Sequence, residues 1–230
     1  MIARALDVSR IHTVAWPLLI AWPLAILFAA FAIPWVIFAL IDATDANTTG
    51  SIYSILGVTM AFYMGAMTQT FPFALGLGVT RRDFFTATVL VGAGQVAGIS
   101  LLLWVLAVIE DHTDGWGVRM EMFGLPADFT DSRLTQLATY AAFLGLVACV
   151  SLFLGAVYQR WRVTGLYTAG AVFLLVGGLA AIVVSWQRWW PEVGSWFADT
   201  PRAVPMVVLP TVLALASLIG AWLTIRRATA

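Results

Sequence analysis

Residues 134–187 read LTQLATYAAFLGLVACVSLFLGAVYQ, then RWR, then VTGLYTAGAVFLLVGGLAAIVVSWQ. Two apolar runs, 134–159 and 163–187, are parted only by Arg160, Trp161 and Arg162. Each run exceeds the roughly 20 residues a helix needs to cross a hydrocarbon layer about 30 Å thick. Four further runs, 14–41, 51–80, 84–109 and 203–225, also hold no Asp, Glu, Lys or Arg. Every charged side chain falls between runs, which predicts an all-α, polytopic membrane helix bundle with six transmembrane helices.

Composition agrees. The 230-residue chain is 61% hydrophobic and 10% charged, far below the roughly 25% charged of a soluble domain. One transmembrane domain over 1–230 is expected, with no room for a separate soluble one. The first run is preceded by Asp7 and is longer than an h-region, so it reads as a span and not a cleavable signal. Formal net charge is zero, so nothing points to nucleic acid. All 12 basic residues are Arg; without Lys there is no Walker A loop, and the chain is not its own ATPase. Membrane pumps that couple to ions need an ionisable relay within the bilayer. These runs carry none, so energy for any transport must come from a partner. The single Cys149 lies in the fourth run, which excludes an intramolecular disulfide. The only histidines are His12 and His112, and neither H-E-x-x-H nor G-x-S-x-G occurs. His112 beside Asp111 and Asp114 reads as a solvated turn, not a metal site.

Orientation follows from the connections. With all six runs crossing and the N-terminus inside, the inner segments hold Arg4, Arg10, Arg81, Arg82, Arg160, Arg162, Arg226 and Arg227, with only Asp7 and Asp83. The outer segments hold ten carboxylates beside Arg119, Arg133, Arg188 and Arg202. Arg enrichment in short cytoplasmic loops is the orienting signal. Both termini are therefore expected in the cytoplasm. Trp16, Trp22, Trp35, Trp104, Trp161, Trp186 and Trp222 sit near run ends, where an indole keeps its N–H wet. Pro17, Pro23 and Pro34 predict a kinked first span. Residues 1–13 read either as an interfacial amphipathic helix or as a frayed tail.

The connection between the second and third runs is the most informative short segment. It runs Phe71-Pro72-Phe73-Ala74-Leu75-Gly76-Leu77-Gly78-Val79-Thr80-Arg81-Arg82-Asp83-Phe84-Phe85. Pro72 and two glycines weaken a continuing helix, and Thr80 with Asp83 fits a capping box, so a new helix should start near Arg81. The product is a compact knuckle, apolar and then basic.

With this knuckle and six spans, the chain resembles the membrane subunits of ABC-2-type ATP-binding-cassette transporters. The resemblance in topology covers nearly the whole chain; that in sequence covers Phe71 to Phe85. It implies an ABC-2-type half-transporter whose coupling segment, 77–85, docks on a separate ABC ATPase through Leu77, Val79, Thr80, Arg81, Arg82, Asp83 and Phe84. Tyr158, Gln159, Arg160, Trp161 and Arg162 would make a second contact. ATP and Mg would be bound by that partner, none by this chain, and a second permease subunit would complete a homo- or heterodimer in a bacterial plasma membrane. The outer segment 187–204, rich in Trp and Pro, is similar to the family's partly re-entrant region, or its aromatics simply lie at the lipid headgroups. The acidic outer loop, 110–133, is longer than such a half-transporter needs.

Within the bundle, Met60, Met64 and Met67 recur at helical spacing and offer an adaptable apolar stripe, facing either substrate or the core. Gln69 and Gln95 are the most polar side chains inside their runs. Gln95 lies between Gly94 and Gly98, a spacing that permits close helix approach and an interhelical hydrogen bond. Gly177 and Gly178 suggest close packing or a hinge. The expected function is the permease of an exporter for a hydrophobic or amphipathic molecule: a drug, a peptide antibiotic or a lipid-like compound. The competing class is a non-transporting membrane scaffold, sensor or assembly factor.

Overall fold

The computed structural model describes residues 17–41 and 47–227; the expected interfacial helix at 1–13 lies outside them. The protein is an all-α bundle of α1 (Pro17–Ile41), α2 (Gly50–Gly76), α3 (Arg81–His112), α4 (Arg133–Trp186), α5 (Trp190–Asp199) and α6 (Val204–Ile225). All but α5 are long and apolar enough to cross a membrane, as in a multi-pass membrane protein. Two short strands, β1 (Asn47–Thr48) and β2 (Met120–Glu121), pair in parallel and tie the start of α2 to the loop after α3.

The longest helix, α4, has 54 residues. A straight rod of that length would reach about 80 Å, well over twice the hydrocarbon thickness. It breaks where the sequence places Arg160 to Arg162: Arg162 has φ 55 and ψ −148. Past the break the chain doubles back, so that a Cβ on Gly165 would stand 3.3 Å from the carbonyl oxygen of Val157. Eight residues of continuous helix would separate these two positions by about 12 Å. The two arms differ sharply in surroundings. All the buried residues of α4, from Gln136 to Gln159, lie in the first arm, whereas no residue from 163 to 187 is buried.

The interior comprises two clusters, one towards each end. The first gathers Leu27, Ile55, Leu103, Met122, Phe123, Tyr140 and Leu144; the second gathers Tyr63, Met67, Phe71, Phe84, Leu152, Ala221 and Ile225. In lipid, where tails are as apolar as the side chains, such contacts hold helices by close packing, and small residues set the approach. Gly155 does so: a Cβ there would lie 2.5 Å from Cβ of Met67. A Cβ on Gly92 would stand 3.2 Å from the Tyr63 hydroxyl, and one on Gly220 would stand 3.1 Å from the Phe153 ring. A Cβ on any of the glycines singled out by spacing, Gly94, Gly98, Gly177 and Gly178, would meet no other segment within 4 Å. They face outwards, so close approach is set by other glycines.

Two prolines shape the helices, and two glutamines answer them. Pro23 has no N–H to offer Leu19, four residues back, and α1 opens into a π-type turn over Pro17–Ala21. Gln95 Nε2 donates to the Leu19 carbonyl at 2.6 Å, and Gln95 Oε1 accepts from the Tyr63 hydroxyl. Pro72 likewise leaves Thr68 without its donor, and α2 opens into a π-type turn over Ala66–Thr70. Gln159 Nε2 donates there, to Met67 O at 2.7 Å and Thr68 O at 3.0 Å. Gln95 thus makes the interhelical bond its setting suggested, and Gln159 makes one that nothing adjacent to it in sequence announces.

The acidic loop is built around one buried carboxylate, while Asp111, His112 and Asp114 stay exposed, as expected of a solvated turn. Glu110, at the end of α3, is 4% exposed and accepts from three successive backbone amides, Met122 (3.0 Å), Phe123 (3.0 Å) and Gly124 (2.7 Å). The Trp116 indole N–H donates to it at 3.0 Å, and the Tyr140 hydroxyl donates to the Phe123 carbonyl. Trp35 Nε1 donates to Trp116 O at 3.3 Å, drawing α1 onto the same loop.

Candidate functional site

The knuckle between α2 and α3 is built by two opposed caps. Gly78 has φ +82, a left-handed value that favours glycine. Its N–H donates to Leu75 O at 3.0 Å, and the Val79 N–H donates to Ala74 O at 3.1 Å, the paired bonds of a Schellman stop. Two residues later Thr80 starts α3: it accepts from the Asp83 N–H at 3.1 Å. The Asp83 carboxylate accepts from the Thr80 hydroxyl at 2.8 Å, not from the Thr80 amide that a full capping box would use. Helix α3 therefore begins at Arg81, where the sequence puts it.

Beneath the turn, Phe84 is fully buried, its ring edge-on to Phe71 with centroids 5.3 Å apart. Phe85 packs on Trp222 of α6, also at 5.3 Å. Arg81 Nη1 donates to the Arg226 carbonyl at 3.2 Å, which bonds the knuckle to the end of α6 and satisfies one of its last carbonyls. Of the residues expected to dock, Phe84 is thus interior and Val79, Arg81 and Asp83 are half-buried, whereas Leu77, Thr80 and Arg82 are exposed.

The second expected contact comes to the same end of the bundle. Gln159 joins the first arm of α4 to the π-type turn of α2, eight residues and about 12 Å before Gly76. Arg160, Trp161 and Arg162 are exposed, with the Arg160 guanidinium 4.5 Å from the Trp161 ring centre and that of Arg162 5.9 Å from the Tyr158 ring centre. Among the described residues, Arg81, Arg82, Arg160, Arg162, Arg226 and Arg227 therefore share one end with a single acid, Asp83. The opposite end carries Glu110, Asp111, Asp114, Glu121, Asp128 and Asp131.

The candidate pathway residues do not form one stripe. Met64 and Gln69 line a cavity of about 460 Å³ with Thr68, Tyr158 and Arg162, so they meet the second contact segment. Met67 is buried against Gly155, Gln95 is occupied by Leu19 and Tyr63, and Met60 is exposed on the far side of α2. Met60 and Met64 both precede the π-type turn over Ala66–Thr70, and burial rises along the three from exposed Met60 through half-buried Met64 to buried Met67.

Sequence reasoning missed the Glu110 cradle and the part played by Gln159. The donors to Glu110 are mainly backbone amides 12 to 14 residues away, and no side-chain motif encodes that. Among the described residues, no group of three or more His, Cys, Asp or Glu is placed to hold a metal ion. No family model, curated protein or solved structure matches the chain.

Proposed function

We propose that the chain is the permease subunit of an ABC-2-type exporter, with six crossings, the two arms of α4 counting separately. Both termini and the Arg-rich end face the cytoplasm, in line with the positive-inside rule. A separate ATPase subunit binds ATP and Mg and docks on the basic knuckle, and a second permease subunit completes the pathway. The observation that carries this reading is the knuckle: a rigid, doubly capped turn that leaves Leu77, Thr80 and Arg82 exposed over a buried Phe71–Phe84 pair. Closure of the ATPase pair would push the knuckle and with it α3. It would also load Gln159, whose amide holds the one stretch of α2 already relieved of regular hydrogen bonding. The cargo is hydrophobic or amphipathic, because the spans offer it no charge.

Arg81→Glu with Arg82→Glu is expected to abolish capture of the ATPase subunit and its transport-linked turnover, with membrane insertion intact by protease protection. Because Arg81 also bonds Arg226, Arg82→Glu alone separates docking from packing. Unchanged capture in both variants, or labelling of Arg82→Cys from outside the cell, would overturn the assignment. A scaffold reading draws on a different observation, the arm 163–187 without a buried residue, which another membrane protein could cover. A purified complex lacking any ATPase subunit would favour it.

A further inference from the structure

The acid-rich end holds a cavity that the reading above does not use. It is an open cleft of about 580 Å³ between α2, α3, the first arm of α4 and the segment joining α5 to α6, within the roughly 300–1,000 Å³ typical of small-molecule sites. Its wall is apolar, formed by Ile55, Leu103, Phe129, Phe143, Leu144 and Met206. The hydroxyls of Thr139 and Tyr140, which also line it, are committed as donors to the carbonyls of Thr135 and Phe123. An acceptor atom placed beside them would leave water without gaining a donor, a cost of about 1–3 kcal/mol, and the apolar side chains of the wall offer no polar partner. The deep part therefore suits an unsubstituted alkyl chain.

The rim is different. Asp128 and Arg202 both line the cavity, both are exposed, and neither forms an ion pair among the described residues, where the salt bridge found is Arg133–Asp111. Arg202 is held in place by one bond, Nη1 to the Phe197 carbonyl at 2.8 Å, which leaves the rest of its donor fork free for a phosphate. Asp128 supplies the matching site for an ammonium. We infer that this cavity binds a zwitterionic amphiphile, its alkyl chain in the well and its phosphate and ammonium between Arg202 and Asp128. The inference does not depend on an ATPase partner, and it stands or falls separately from the permease reading.

The test uses the full chain in lipid nanodiscs, with phosphatidylcholine bearing a diazirine near the chain end as the probe and peptide mapping as the readout. Label is expected in excess on 125–144 and 197–206 relative to 163–187, the arm that any lipid can reach. Arg202→Glu, at an exposed position, should lower cavity labelling about five-fold, the scale of one charge contact near a surface. Labelling by a nonionic diazirine alkyl glucoside should be unchanged in that variant. Leu125 also lines the well, and Leu125→Trp, which should fill it, is expected to remove both labels; if it reduces folding, Arg202→Glu still decides. Competition by added dodecylphosphocholine would assign the site to a diffusible amphiphile, and its failure to compete to a bilayer lipid, both of which support the proposal. Equal label density on the cavity and on 163–187, or loss of the nonionic label with Arg202→Glu, would overturn it.

Discussion

The two ends of the bundle use their charges in opposite ways. At the acid-rich end Glu110 is withdrawn from solvent and wrapped by three backbone amides and an indole N–H, so its charge organises the loop that closes that end. At the other end Arg82, Arg160 and Arg162 remain exposed, and the knuckle is held instead by caps and by buried phenylalanines. One end is built on a buried charge, although Asp128 and Arg202 stay exposed at its rim; the other only presents its charge. A buried carboxylate satisfied this fully is part of the fold, whereas exposed guanidinium groups on a preformed turn remain available to a partner.

That contrast sets the order of expected effects. Glu110→Ala strips several buried amides of a charged acceptor and should cost about 3 kcal/mol or more, read as thermal unfolding in detergent, with new proteolysis near Arg119. A loss under about 0.5 kcal/mol, the usual size for a surface change, would show that the ends do not differ in this way. Gln159→Ala leaves the Thr68 carbonyl without its donor and should cost about 1–3 kcal/mol. Gln95→Ala should cost a similar amount for the same reason at Leu19. Only Gln159→Ala should also lower substrate-stimulated ATPase activity in the reconstituted complex; equal effects of the two would deny Gln159 a part in coupling. Arg162→Gly should raise stability by about 1 kcal/mol, as relief of a backbone conformation nearly confined to glycine outweighs the flexibility glycine adds to the unfolded chain. Arg82→Ala should move unfolding by no more than about 0.5 kcal/mol while weakening ATPase capture. A large stability loss there would mean that this arginine, too, belongs to the fold.

Much of this architecture is legible in the sequence because lipid imposes a coarse rule: an uncharged run long enough to span becomes a helix. The arginines flanking Trp161 mark the reversal in α4, and Gly78 with Thr80 marks the stop and restart around the knuckle, because their signals are local. The rest depends on the approach of distant segments. Pro72 announces an orphaned carbonyl at Thr68 but cannot say that Gln159 will answer it, 91 residues away. Glu110 looks like any loop carboxylate, since its partners are main-chain groups. The methionine spacing misleads because it marks one face of a helix and not what that face meets: Met67 packs against Gly155, whereas Met60 is exposed.

The unburied arm of α4 carries a consequence for substitution tolerance. A surface met only by lipid constrains hydropathy and not shape, so exchanges among Leu, Ile, Val and Phe from 172 to 183 should be neutral, unlike any enlargement at Gly155. Positions in that arm that refuse such exchanges would trace the footprint of a neighbouring protein, residue by residue.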